Sequence, residues 1–96
     1  MPTYVTLSHF TDQGIKSVKE TVKRSEAFKK AAKAGGVTVK EILWTQGHHD
    51  LVTVVEGPEE AVAALGLGVA KLGNITSQTL RGFTAVEMEK ILAKVP

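Results

Sequence analysis

From Thr3 to Phe10 the side chains alternate, with Tyr4, Thr6 and Ser8 on one side and Val5, Leu7 and His9 on the other. A period of two in a segment rich in β-branched residues predicts a half-buried strand. Thr11 and Asp12 then offer capping oxygens, and Ile15, Val18, Val22, Phe28 and Ala32 recur at helical spacing, which predicts one long helix from Asp12 or Gln13 to Ala34. Gly35 and Gly36 stop it, because glycine takes the left-handed cap conformation readily. Val37 to Gln46 and Leu51 to Glu56 read as two strands of a hairpin, reversed at Gly47-His48-His49-Asp50. A second helix begins at Gly57-Pro58-Glu59-Glu60, where proline suits the first turn and the acids face the positive end of the helix dipole, and continues to about Leu72. Gly66 and Gly68 lie inside it, and close packing against a neighbour is their expected reason. After Gly73-Asn74, Ile75 to Phe83 alternates again as a fourth strand. Thr84 with Glu87 forms a capping box at the start of a last helix, Ala85 to Ala93.

This order, β-α-β-β-α-β with an added helix, predicts an α+β fold of the split βαβ, ferredoxin-like type. Right-handed crossovers place both main helices on one face of a four-stranded antiparallel sheet with the strands in the order fourth, first, third, second. The other face, roughly 350 Å² in projection, is left bare. Val, Leu, Ile and Trp recur in these strands, so a homodimer closed sheet against sheet through the open face is expected.

The 96 residues suit a single domain spanning 1–96. Composition narrows the function classes: 43% hydrophobic and 23% charged residues belong to an ordinary globule, and the absence of cysteine excludes thiol catalysis and zinc-cysteine sites and suits a reducing cytoplasm, the expected compartment. No apolar run approaches the roughly 20 residues of a membrane span, so no membrane partner is expected. The net charge of +2 does not demand an acidic partner. The first helix carries Lys16, Lys19, Lys23, Arg24, Lys29, Lys30 and Lys33 against Glu20 and Glu26. Such a stripe is the solvated side of an amphipathic helix, with Glu20 and Arg24 spaced as an intrahelical pair. Nucleic acid is not expected, because the third strand lacks the stacking aromatics of RNA-recognition domains, and Arg81-Gly82-Phe83 copies only the opening of their signature.

Tyr4-Val5-Thr6-Leu7 leading into Thr11-Asp12-Gln13-Gly14-Ile15, the helical Val18-Lys19 and Lys23-Arg24, the Gly47-x-x-Asp50-Leu51-Val52 hairpin, and Leu72-Gly73-Asn74 running into Thr79-Leu80-Arg81 together resemble the GYD-domain family of the dimeric α/β-barrel superfamily. The resemblance implies a ferredoxin-like dimer and imports no reaction. It also implies a tyrosine before Asp50, where this chain has His49.

Candidate chemistry gathers where the first strand ends and the third begins: His9, Asp12, Trp44, His48, His49, Asp50 and Asn74 are expected at one end of the sheet. Imidazole titrates near neutrality and a neighbouring carboxylate would orient it, so His9 or His49 with Asp50 forms the candidate catalytic pair. The bland alternative is that Asp50 bonds backbone amides in the turn. No metal and no other cofactor is expected: adjacent His48 and His49 would point to opposite faces if extended, and a third ligand would have to be His9, Asp50 or a group from another subunit. Trp44, His48 and Arg81 are candidate ligand-binding residues. Arg81 has forked donors that suit a carboxylate, against the alternative of an ion pair; Trp44 is otherwise expected to pack at the dimer face. The leading functional reading is a homodimeric module that binds a small organic molecule. The alternatives are a cofactor-independent monooxygenase or isomerase using the His/Asp pair, and a regulatory or interaction module with no ligand.

Overall fold

A computed structural model describes residues 1–96. Strands β1 (Thr3–Phe10), β2 (Thr38–Trp44), β3 (Leu51–Glu56) and β4 (Ile75–Gly82) form one antiparallel sheet in the order β2-β3-β1-β4. This is the expected ferredoxin-like topology. Helices α2 (Thr21–Ala34) and α3 (Glu59–Ala70) cover one face, α2 beside β2 and α3 beside β4. A final helix, α4 (Ala85–Leu92), is closed by the expected capping box of Thr84 and Glu87 and packs extensively on no other element.

The first helix is not continuous. It divides into α1 (Asp12–Lys16), a single 3₁₀ turn (Val18–Glu20) and α2. No proline or glycine marks the break. The Ser17 hydroxyl turns back to the Gln13 carbonyl, a bond that competes with helix geometry. Arg24 folds back from α2 and donates to the carbonyls of Ser17 and Gly14, satisfying acceptors that the interrupted ladder leaves free. Arg24 is therefore not paired with Glu20, whose nearest cation is Lys23 at 3.7 Å.

Register assigns the faces. Thr6 lies opposite Thr53 and Thr79, and Ser8 opposite Leu51 and Ser77, all on the helix-covered side with Tyr4 and Val55. Val5 lies opposite Val54 and Leu80, and Leu7 opposite Val52 and Gln78, on the bare side. In β2 the pairing slips between Val39 and Glu41, so Lys40 bulges out of the alternation and its ammonium reaches Glu56 at 3.3 Å. The core is small. Tyr4, Ala32, Val37, Val55 and Val62 close the space between helices and sheet at the Tyr4 end of β1, with Phe28, Val39, Ala61 and Leu65 against them.

Candidate functional site

Beyond that core, the helix layer does not meet the sheet. Because α2 and α3 sit over the outer strands, a cavity of about 760 Å³ remains above the middle of the sheet. Phe28 and Ala31 of α2 and Leu65, Gly68 and Val69 of α3 are among its apolar walls, while Thr6, Thr53, Ser77 and Thr79 lie along its floor. The floor is a ladder of hydroxyls between neighbouring strands: Ser8 Oγ bonds Ser77 Oγ at 2.8 Å, and Thr6 Oγ1 meets Thr79 Oγ1 at 3.3 Å. Each such pair uses one of its two protons internally and leaves the other, with spare lone pairs, for a guest. The sequence contains this signal, since Thr6-x-Ser8 and Ser77-x-Thr79 both alternate, but only the register of β1 against β4 brings them side by side.

Gly66 and Gly68 have a different setting from the one expected. A methyl group added at either would meet nothing within 4 Å, so no neighbour packs closely there and both face open space at the cavity side of α3.

The residues expected at one end of the sheet do reach that end, but they separate between its faces. Trp44 shares the helix side with Ile42, and its indole Nε1 donates to Thr21 Oγ1 at 3.0 Å. It edges a shallow groove of about 330 Å³ between α2 and β2 and is not on the bare face, because the slip at Lys40 sets its phase. Asn74 is held by α1: its side-chain oxygen accepts from Gln13 Nε2 at 2.9 Å and its carbonyl from the Thr11 amide at 3.0 Å. Asp12 stays exposed in the first turn of α1.

Asp50 takes the bland role. Its carboxylate accepts from the Phe10 amide at 2.9 Å, and its own amide donates to the Ser8 carbonyl at 2.9 Å, fastening the hairpin to β1. The histidines bond each other instead: His49 Nδ1 lies 3.1 Å from His9 Nε2, so no hydrogen-bonded His/Asp pair forms. His48 joins them, its ring centre 4.8 Å from that of His49 and 5.4 Å from that of His9. The expectation that two adjacent histidines diverge does not hold, because the loop from Gly47, with φ of +118°, is bent and not extended.

Arg81 lies at the other end, opposite Tyr4, about 17 Å along β1 from His9 at the usual rise per residue. Its guanidinium stands over the rings of Phe83 at 4.5 Å and Tyr4 at 5.7 Å and pairs with Glu87 at 3.6 Å. Backbone hydrogen bonding from Thr84, with further help from Arg81, holds the Glu87 carboxyl below the usual carboxylate range.

Compared with protein families, the sequence matches the model of the GYD domain over residues 4–92. The chain belongs to the GYD domain family. No curated protein matches it. The pieces that carry the likeness to a GYD domain are mostly fastenings. Thr11-Asp12-Gln13-Gly14 meets Leu72-Gly73-Asn74, where Gln13 Nε2 also donates to the Leu72 carbonyl and the Thr11 hydroxyl to the Gly73 carbonyl. Any side chain at Gly14 would overlap the Asn74 carbonyl, so this position admits only glycine. Gly47 supplies the positive φ of the hairpin loop, and Asp50 ties that hairpin to β1. In this GYD domain segments 11–14 and 72–74 fasten α1 to the turn before β4, while Thr6 and Thr79 of the same likeness line the cavity.

Proposed function

We propose that this GYD domain binds a small organic molecule between its helices and sheet, and does so as a homodimer joined through the bare sheet face. The carrying observation is the cavity of about 760 Å³ with apolar walls and a hydroxyl floor. Its size and its few polar groups among apolar ones are those of small-molecule sites. Arg24 is the one charged residue in the lining, and its guanidinium donates to the Ser17 and Gly14 carbonyls, so the paired hydroxyls favour a neutral or weakly polar guest that presents carbonyl, hydroxyl or ether oxygens.

Two uncovered apolar surfaces support the dimer. One is the strip of Val5, Leu7, Val52, Val54, Leu80 and Leu43 on the bare face, of which Leu43 is 52% and Leu80 41% exposed. The other is α4 with the residues after it, where Val86, Met88, Leu92 and Val95 are all exposed. A second copy covers both without requiring any other protein, and twofold closure is the commonest arrangement of identical subunits. Catalysis by a His/Asp pair receives no support from the geometry, since Asp50 is engaged by the Phe10 amide.

Native mass spectrometry of the protein taken directly from its source cell tests both parts together. The expected spectrum shows twice the subunit mass of 10.3 kDa plus a retained organic species that is lost on collisional activation. A lone subunit would end the dimer. A ligand-free species that also fails to take up any member of a panel of neutral amphiphiles would end the binding role.

A further inference from the structure

The chain has three histidines, and all of them converge on one point: His9 from the end of β1, His48 and His49 from the hairpin loop. Their ligand nitrogens lie within 4.8 Å of one another. We propose that these imidazoles form a binding site for a divalent transition-metal ion of borderline softness, such as zinc, nickel or copper(II), with at least one coordination position left for water or another small ligand.

The closest pair is nearly at metal-binding distance. Two Zn–N bonds of 2.0–2.1 Å at a tetrahedral angle set their nitrogens about 3.3 Å apart. His49 Nδ1 and His9 Nε2 stand at 3.1 Å, sharing one proton between two lone pairs. Once the donor imidazole carries its proton on its other ring nitrogen, both facing nitrogens offer a lone pair, and a metal ion gains them for a displacement of a few tenths of an ångström. The third ligand comes from His48, an exposed residue of the bent loop whose side chain can swing to close the remaining gap without disturbing a packed neighbour. The rings are inclined to one another by 48° to 82°, so none lies flat on the next and blocks a nitrogen. Three imidazoles without thiolate or carboxylate favour zinc, copper or nickel over calcium or magnesium, which prefer oxygen. The group of ligand atoms within reach of one another holds His9, His48 and His49 and no carboxylate, so the protein supplies three ligands and the remaining positions stay open.

This site is separate from the cavity. By the alternation of β1, His9 belongs to the bare side with Val5 and Leu7, whereas the cavity lies over Thr6 and Phe10.

The test is titration of the tag-free, metal-free full chain with zinc(II) by calorimetry and with cobalt(II) by visible absorption. The expected result is one ion per subunit with a Kd below about 10 μM, together with the strong cobalt bands of a site with low coordination number. Paramagnetic nickel(II) should broaden the ring-proton signals of all three histidines in parallel. Because changes even outside the ligand set commonly cost 10- to 100-fold in metal affinity, H48A and H9A should each weaken zinc at least about tenfold. H48A alters only an exposed loop residue, so it decides the matter even if H9A disturbs folding. Absence of saturable binding, or zinc affinity in H48A equal to that of the parent chain, would overturn the site.

Discussion

On the face beneath the helices, Thr6, Thr53, Ser77 and Thr79 line a cavity that opens to the surface along β4, whereas the opposite face presents Val5, Leu7, Val52, Val54 and Leu80 with no element over them. A subunit built to stand alone would place these two sets the other way round, since apolar area gains from burial and hydroxyls cost free energy when buried without partners. The contrast is what the proposed function draws on: it gives the aliphatic face a second copy of the chain as its cover, and the hydroxylated face a guest that can hydrogen-bond.

The largest effect is expected where the aliphatic face is charged. L7K would set two ammonium groups into a twofold sheet-to-sheet contact, and dimerisation should weaken at least 100-fold, on the order of 3 kcal/mol, by sedimentation velocity. The subunit should stay folded by circular dichroism, because Leu7 lies on the bare side. An unchanged sedimentation coefficient would mean that this face is not the contact.

Next comes the fastening that holds α1 against the turn before β4. G14A introduces an overlap with the Asn74 carbonyl and should destabilise the chain by about 2–3 kcal/mol in urea unfolding. Chemical accommodation at no cost would show that the turn can retreat, and with it one rim of the cavity.

On the covered face, T79V removes a floor hydroxyl while keeping its shape. Binding of the retained ligand should fall about fivefold, near 1 kcal/mol, with little change in stability, since Thr79 lies on an exposed stretch of β4. Equal losses in binding and stability would make the hydroxyl ladder a scaffold only. G68A should raise stability by about 0.5–1 kcal/mol, because glycine inside a helix costs about that much and nothing stands within 4 Å of the added methyl.

The smallest effect concerns α4. The Glu87 carboxyl is held below its ordinary range in the folded state, so its contribution is present at neutral pH and is lost as pH falls through that lowered value. Protection factors of the α4 amides, with the intrinsic pH dependence of exchange divided out, should therefore fall on acidification in the parent chain and change less in E87Q.

Most of the fold is legible in the sequence, because alternation, glycine punctuation and the Thr84 capping box are local signals that each residue carries with it. The helix break at Ser17 combines a local bond from its hydroxyl to the Gln13 carbonyl with Arg24, seven positions later, turning back to claim two carbonyls, a contact that apolar spacing does not signal. As the only tryptophan Trp44 is expected at the dimer face, but the bulged residue at Lys40 shifts its phase and sets it on the helix side. The clustering of the end residues was readable from topology. Their partners were not, since whether Asp50 meets an imidazole or an amide depends on how a four-residue reversal bends. The hydroxyl floor lay in plain view as alternating threonine and serine, and became meaningful only with the register between strands far apart in the chain.

The bulge at Lys40 has one more effect. A sheet whose outer border is regular offers a free row of amides and carbonyls on which a further strand can dock, and then another, which is how fibres grow. Here that row is interrupted within β2, with Lys40 displaced from the regular pairing, so sideways growth from this border is discouraged.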